Sequence, residues 1–213
     1  MRYNGTMAKI AIIYYSATGN AYKVAKAIQE GAEATGAEVR VRKVRELAPP
    51  EAIASNKGWE SHLVATQLVP EALLGDLEWA DGFAFGTPTR FGALSAQLKQ
   101  FLDTSGPLWM QGKLADKAAT AFVGASYPHG GQETTLMTIY NMMYHWGAII
   151  VPPSYTDASV GKAGGNPYGT SYTDPRGGEL PEELLAAARY QGLRLARYAA
   201  VLAENRAALR GGD

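Results

Sequence analysis

Short apolar runs alternate with amphipathic segments along almost the whole chain. The runs are rich in β-branched and aromatic residues and too short to span a membrane, so they predict buried strands. Repeats of strand and helix form a parallel sheet covered on both faces, because each parallel crossover needs a connecting helix. We therefore predict an open α/β fold with five strands, at Ile10–Tyr15, Glu38–Val44, Gly82–Gly86, Lys117–Val123 and Ala148–Val151. Helices are predicted at Ala21–Thr35, Ala93–Thr104, Gln132–Trp146 and Pro181–Leu209.

The first strand leads directly into a short loop of hydroxyl and glycine residues, Ser16–Ala21, and then into a helix. Ser16, Thr18 and Asn20 offer side-chain donors, and Gly19 lets the backbone turn tightly. The following helix directs its free N–H groups and the positive end of its dipole at the same loop. These features predict a phosphate seat, and a monophosphate fits best because the motifs of dinucleotide and triphosphate sites are absent. An ordinary capped turn needs the same residue types, so the loop alone leaves both interpretations open.

Two further unusual loops follow the carboxyl ends of predicted strands. They are Thr87–Gly92 after the third strand and Gly124–Gly131 after the fourth. In an open α/β sheet the carboxyl ends of the strands meet at one edge, and ligands bind there at the topological switch point. Three unusual loops at one edge favour a ligand site over a set of ordinary turns.

The composition excludes several classes of protein. Lysine plus arginine number 20 and aspartate plus glutamate also number 20, so the net charge is zero. A neutral chain is a poor match for nucleic acid or for an anionic membrane surface, and we expect neither as a partner. Cysteine is absent, which excludes disulfides, thiol catalysis and cysteine-ligated metals. The histidines, His62, His129 and His145, lack metal-ligand spacing, so we predict no metal site.

We predict a single domain over residues 9–209, preceded by a dispensable leader at residues 1–8. No signal peptide or transmembrane run is apparent, so we expect a cytoplasmic location. Two segments exceed the needs of a minimal five-strand domain: residues 49–70, which are loop-like and contain Trp59, and residues 152–180, which are rich in Gly, Pro and Tyr. Segments of this length are usually functional or disordered. For the second we favour an ordered interface or lid, because it has several tyrosines and no strong charge bias.

Several motifs resemble those of the WrbA family of flavodoxin-like quinone oxidoreductases, and the matches run from about residue 9 to residue 205. They comprise Tyr14-Tyr15-Ser16, Gly86-Thr87-Pro88-Thr89-Arg90-Phe91-Gly92, Phe101-Leu102-Asp103, Leu108-Trp109, Gly130-Gly131-Gln132-Glu133, Val151-Pro152, Pro167-Tyr168-Gly169 and Ala188-Arg189-Tyr190-Gln191-Gly192. The Thr-Pro-Thr-Arg-Phe-Gly motif combined with the late Ala-Arg-Tyr-Gln-Gly motif is specific. A lone Ser-x-Thr-Gly loop is not.

The resemblance implies a flavodoxin-like parallel sheet of order 2-1-3-4-5, an FMN cofactor and a homotetramer. It further implies two-electron reduction of a quinone by NADH or NADPH. The implied phosphate loop is Ser16, Ala17, Thr18, Gly19, Asn20 and Ala21. The implied contacts with the flavin ring are Pro88, Thr89, Arg90, Phe91 and Gly92, and the third flavin loop is Ala125, Ser126, Tyr127, Pro128, His129, Gly130 and Gly131.

Three further positions follow from the same resemblance. Thr18 and Trp109 match positions near the nicotinamide or the substrate. Trp146 stands where the family often has a histidine that approaches the flavin from a neighbouring subunit, so it is expected to contact the cofactor. This replacement removes the hydrogen bonding of an imidazole but leaves a ring that can pack.

The chemistry expected from these residues is limited. Hydride transfer belongs to the flavin, while the protein supplies placement and electrostatics. Arg90 is the candidate cation that stabilises negative charge on the reduced flavin ring. In the alternative interpretation it is a surface arginine that pairs with a carboxylate. No catalytic side chain is certain; His129 is a weak candidate for quinone protonation, and an exposed loop histidine is the simpler interpretation.

Two other functional classes stay open. A flavodoxin-type one-electron carrier would dock through a charged, usually acidic surface, and the neutral composition argues against it. A scaffold or regulatory protein with a vestigial flavin is the third possibility. For the enzyme we expect a ping-pong cycle, in which the nicotinamide leaves before the quinone enters the same cavity.

Overall fold

The computed structural model describes residues 7–176 and 178–211. Most of the predicted leader, residues 1–6, lies outside the described residues. The strands are β1 (Lys9–Tyr14), β2 (Glu38–Lys43), β3 (Gly82–Pro88), β4 (Ala118–Ala125), β5 (Ile149–Ile150) and β6 (Ser171–Thr173). The helices are α1 (Asn20–Glu33), α2 (Pro50–Ala54), α3 (Lys57–Ala65), α4 (Leu74–Trp79), α5 (Ala96–Asp103), α6 (Gly106–Met110), α7 (Gln132–Trp146), α8 (Ala158–Lys162) and α9 (Glu182–Leu209). None of these described helices is long and apolar enough to cross a membrane.

The central sheet has the strand order β2-β1-β3-β4-β5, and these strands are parallel. Ile12 of β1 pairs with Val41 on one side and with Ala84 on the other. Strands β1, β3 and β4 are almost entirely buried, as expected for parallel strands covered on both faces. The predicted order is confirmed. A sixth short strand, β6, pairs with the carboxyl end of β4, where the sequence analysis predicted none.

Helices cover both faces of this sheet and divide the core into two clusters. Ile12 belongs to the cluster beneath α1 and α9, and its neighbour Ile13 belongs to the cluster beneath α4, α5 and α7. Helices α1 and α9 pack with unusually close backbones. A Cβ atom at Gly31 would lie 1.8 Å from the Arg189 carbonyl oxygen, and one at Gly192 would lie 2.0 Å from the Ile28 carbonyl oxygen. Only glycine fits at these two positions.

The two longer segments contain regular structure and reach the carboxyl end of the sheet. Residues 49–70 were predicted to be loop-like, and this prediction is wrong because they form α2 and α3. Helix α3 begins after Asn56, whose Oδ1 accepts a hydrogen bond from the Trp59 amide at 3.2 Å. Residues 152–180 contain α8 and β6. Strand β6 places the Tyr172 ring over Gly124, where a Cβ atom would lie 2.0 Å from the ring Cζ.

Candidate functional site

A cleft of about 250 Å³ opens at the carboxyl ends of β1, β3 and β4. The structure brings parts of all three predicted loops to its walls. Predicted site residues that line it are Ser16, Ala17, Thr18, Asn20, Pro88, Thr89, Arg90, Ala125 and Ser126. An adjoining hollow of about 340 Å³ shares Thr18, Asn20 and Asp174 with the cleft. Together they have the size of a site for a small organic cofactor.

The loop between β1 and α1 has the form of an anion seat. Gly19 adopts a φ of 102°, in the left-handed region, and its amide donates to Ser16 Oγ at 3.0 Å. Helix bonding begins one turn later, where the Lys23 amide donates to the Gly19 carbonyl. In the part of the chain that the structure describes, the amides of Asn20, Ala21 and Tyr22 have no protein acceptor. These donors, at the positive end of α1, are available to a phosphate.

Arg90 supplies the positive charge of the cleft. Its backbone is held by a pair of hydrogen bonds with Ala93, and its guanidinium donates only to the Thr89 carbonyl at 3.2 Å. Among the described residues it forms no ion pair with a carboxylate, so its alternative role as a surface salt bridge is not realised here. Burial raises the pKa of the Tyr15 and Tyr172 hydroxyls, and the charge of Arg90 opposes that rise in both cases. Arg90 therefore lies near both phenols, and Asp174 lines the same cleft.

Only the first part of the third loop lines the cleft. Gly124, Ala125 and Ser126 contribute to its wall, whereas Tyr127, Pro128, His129, Gly130 and Gly131 do not. Gln132 holds this outer part, because its side chain donates to the Tyr127 carbonyl and accepts from the Gly130 amide, each at 2.9 Å. His129 is exposed there, away from the cleft walls.

Several predicted contacts lie beside the cleft instead of on its walls. Gly19 and Ala21 are buried within the phosphate loop and the first turn of α1. Phe91 is fully exposed with a φ of 54°, and Gly92 packs behind it against Thr134. Trp109 is 52% exposed, and its indole Nε1 donates to the His145 carbonyl at 2.7 Å.

Trp146 is buried in the core of its own chain. Its ring is only 8% exposed and packs edge-on against Phe83 and Phe85, with centroids 5.9 Å apart in each case. The large apolar indole is buried in the core between α7 and the sheet. It lies at the C-terminal end of α7, whereas the third loop adjoins the N-terminal end. Trp146 therefore does not line the cleft of its own chain, and its contact with a cofactor bound by a neighbouring subunit stays a prediction.

Four lining residues were not predicted: Asn56, Trp59, Tyr172 and Asp174. Asn56 and Trp59 come from the start of α3, and the last two come from β6 and the residue after it. Asp174 Oδ1 accepts from Asn20 Nδ2 at 3.3 Å and from the Arg176 amide at 2.9 Å. The sequence analysis identified both of these segments as too long for a minimal domain, but it did not assign them to the site. Their contact with the cleft depends on long-range packing.

The chain is similar to a known protein family and to curated proteins. The profile of the NADPH-dependent FMN reductase family matches residues 8–161. A protein of Deinococcus radiodurans named NAD(P)H dehydrogenase (quinone) is 48% identical over 183 residues, covering 86% of this chain and 91% of the relative. A protein of Methylocella silvestris with the same name is 44% identical over 202 residues, covering 92% of this chain and 99% of that one.

Solved structures show the same fold. A flavodoxin, WrbA-like protein from Agrobacterium tumefaciens superposes with a TM-score of 0.62 at 24% identity, covering 90% of this chain and 97% of that one. A flavodoxin from the domain Archaea gives a TM-score of 0.57 at 18% identity, with 90% and 98% coverage. With the relatives above, these matches confirm the resemblance to WrbA proteins. The chain belongs to the NADPH-dependent FMN reductase family.

Proposed function

We propose that this protein is an FMN-dependent NAD(P)H:quinone oxidoreductase, which reduces quinones to hydroquinones by two electrons. One observation carries the proposal: the start of α1, whose first amides lack a protein acceptor among the described residues, reaches the same cleft as Arg90. The names of the curated relatives support an enzyme of this class over a one-electron carrier.

The residues of the cleft fit FMN. The amides of Asn20, Ala21 and Tyr22 are placed to bind its phosphate. Ser16 Oγ already accepts a hydrogen bond, so its hydroxyl hydrogen remains available to donate to the same phosphate. Bound FMN supplies the hydride chemistry, taking two electrons from NADH or NADPH and delivering them to the quinone. With FMN bound, the guanidinium of Arg90 would stabilise negative charge on the ring.

The protein does not need a dedicated proton donor in this proposal. His129, the weak candidate from the sequence, is exposed and outside the cleft lining. The cleft is open to solvent, so water delivers protons to the product.

The proposed kinetic order is ping-pong, because one open cleft has to admit the nicotinamide and the quinone in turn. Initial rates measured against both substrates should give parallel lines in double-reciprocal plots. Intersecting lines would show that both substrates bind together and would overturn the shared-cleft order.

The test of the function is an absorbance spectrum of the purified protein, followed by additions of NADH and then benzoquinone. We expect flavin bands that bleach with NADH in one step and return with benzoquinone. Bleaching by dithionite in two separate one-electron steps, without reaction with NADH, would favour the carrier. Absence of flavin after reconstitution with FMN would exclude both.

We further propose a homotetramer that works in the cytoplasm. Exposed apolar side chains support assembly, among them Met110 at 80% exposure and Tyr144 at 59%, close in the chain to Trp109 and Trp146 respectively. Trp109 lies outside the cleft of its own chain, so a role beside the substrate requires it to reach a neighbouring copy. Light scattering should give four times the mass of the chain. A monomer mass would remove both the assembly and this role for Trp109.

A further inference from the structure

Helix α3 lies directly against the phosphate loop. A Cβ atom at Gly19 would lie 3.3 Å from His62 Nδ1, and a Cβ atom at Gly58 would lie 3.8 Å from Thr18 Cγ2. The helix that the sequence analysis treated as a loop therefore forms an additional wall beside the proposed phosphate seat.

Trp59 is the aromatic residue that α3 brings to the cleft. It is half-buried, packs against the core cluster beneath α5 and α7, and lines the same cleft as Arg90 and Thr18. Tyr172 is the second aromatic residue of the lining, whereas the predicted aromatic contacts Phe91 and Trp109 do not line the cleft.

Glu46 fixes the indole of Trp59. Glu46 Oε2 accepts from Trp59 Nε1 at 3.0 Å and from the Tyr15 hydroxyl at 2.9 Å. Glu46 Oε1 accepts from Gln97 Nε2 at 2.9 Å and from the amides of Leu47 and Ala48. Burial opposes ionisation of Glu46, but these donors outweigh it and lower the pKa of the carboxyl. An ionised, fully bonded carboxylate holds the indole in one place.

We propose that Trp59 is a binding residue that presents an aromatic surface to a planar ring in the cleft, and that Glu46 is its positioning residue. The ring is that of the flavin or that of the nicotinamide or quinone. The inference rests on the proposed function, because it requires a flavin site in this cleft. Aromatic pairs of this kind contribute enough to change a binding constant about three- to tenfold.

The test uses the full-length protein with W59L, W59F and a matched control, W79L. Trp79 is also a half-buried tryptophan beside the same core cluster, but it packs under the Arg40 guanidinium, 3.9 Å from the ring centroid, outside the cleft lining. We expect W59L to raise either the FMN Kd or, at saturating FMN, the KM for NADH or benzoquinone by about three- to tenfold. W59F should recover most of the loss, and W79L should leave all three constants within about twofold.

The constant that changes in W59L identifies the ring that Trp59 contacts. A change in FMN Kd assigns Trp59 to the flavin, and a change in KM alone assigns it to a substrate. If W59L is folded and all three constants are unchanged, the inference is wrong. If W59L does not fold, a second non-aromatic variant, W59M, gives the same decision. Failure of the proposed function looks different, because wild-type protein would then bind no FMN.

The positioning role of Glu46 has its own test. E46Q should change the same constant as W59L and in the same direction, because the indole loses its fixed acceptor. In the W59F background, where no indole N–H remains, E46Q should have no further effect on that constant. A full additional effect would show that Glu46 acts independently of Trp59 and would overturn its role.

Discussion

Gly19 and Ser16 show how single residues prepare the phosphate loop. The left-handed conformation of Gly19 turns the chain so that its amide reaches Ser16 Oγ, and the next three amides have no acceptor among the described residues. Sequence alone indicated these residue types, because hydroxyl and glycine residues between a strand and a helix have a known local chemistry. Sequence alone did not indicate that Trp59 lines the cleft, because the position of its indole depends on a hydrogen bond to Glu46, thirteen residues earlier in the chain.

A Gly19→Ala substitution should destabilise the protein. At a φ of 102° a Cβ atom is strained, and it would lie 3.3 Å from His62 Nδ1. We expect the free energy of unfolding in urea to fall by about 1–2 kcal/mol. Gly75→Ala is the matched control, because it lies in α4 with no heavy atom within 4 Å of the added Cβ. It should be neutral or slightly stabilising, and equal losses in both variants would contradict the argument.

The hydroxyls of the phosphate loop should contribute to retention of FMN. Removing both in the Ser16→Ala, Thr18→Ala double variant should weaken binding by about 1.5–3 kcal/mol for each charge-assisted hydrogen bond that is lost. Titration of the apoprotein with FMN measures the loss by flavin fluorescence. Thr104→Ala, which removes a hydroxyl bonded to the Phe101 carbonyl on α5, should bind FMN like wild type. Unchanged affinity in the double variant would reject the phosphate seat.

At the scale of elements, periodicity predicted the buried strands and the long helices, because both depend on burial patterns within one segment. Helix α7 occurs as predicted, at Gln132–Trp146. Helices α2 and α3 and strand β6 were missed, because they are short and packing against other segments stabilises them. One local signal for α3 was present: Asn56 before Lys-Gly-Trp-Glu, the residue type of an N-cap. No local pattern showed that Trp146, at the end of α7, turns into the core.

Docking of α3 should depend on pH through His62. Burial, and then the nearby charge of Lys43, lowers the pKa of His62 below its ordinary value of 6.5. The unfolded chain therefore binds a proton more readily than the folded chain, and stability is lost as the pH falls below 6.5. Thermal unfolding at mildly acidic and neutral pH should show this loss in wild type and a smaller loss in His62→Gln. His145→Gln, at an exposed position, is the control; identical pH dependence in all three proteins would refute the coupling.

At the scale of the whole molecule, the cleft is assembled from segments far apart in the chain, from Ser16 to Asp174. The strand order predicted that three loops would meet at one edge, because parallel strands end together. It did not predict that α3 and β6 would reach the same edge, since their placement depends on packing across the sheet. At the opposite edge, Lys117 precedes β4 and brings a buried amino group under the sheet.

Lys117 should make the stability of the whole protein rise with pH. It is 3% exposed, and its Nζ donates to the carbonyls of Leu77 and Glu78 at 2.8 and 2.9 Å. Burial, with a smaller contribution from Arg206, lowers its pKa from 10.5 to about 8. Between these values the folded chain binds fewer protons than the unfolded chain, so the free energy of unfolding increases as the pH rises.

Urea unfolding at about pH 7 and about pH 9.5 should therefore show a gain of about 1–2 kcal/mol in wild type that is absent in Lys117→Met. The variant should also be less stable at both pH values, because the last carbonyls of α4 lose their donor. Lys99→Met, on the exposed face of α5, removes a lysine charge without changing a buried group and should keep the wild-type gain. If wild type and Lys117→Met gain equally, another group titrates in this range and the buried lysine does not control the pH dependence.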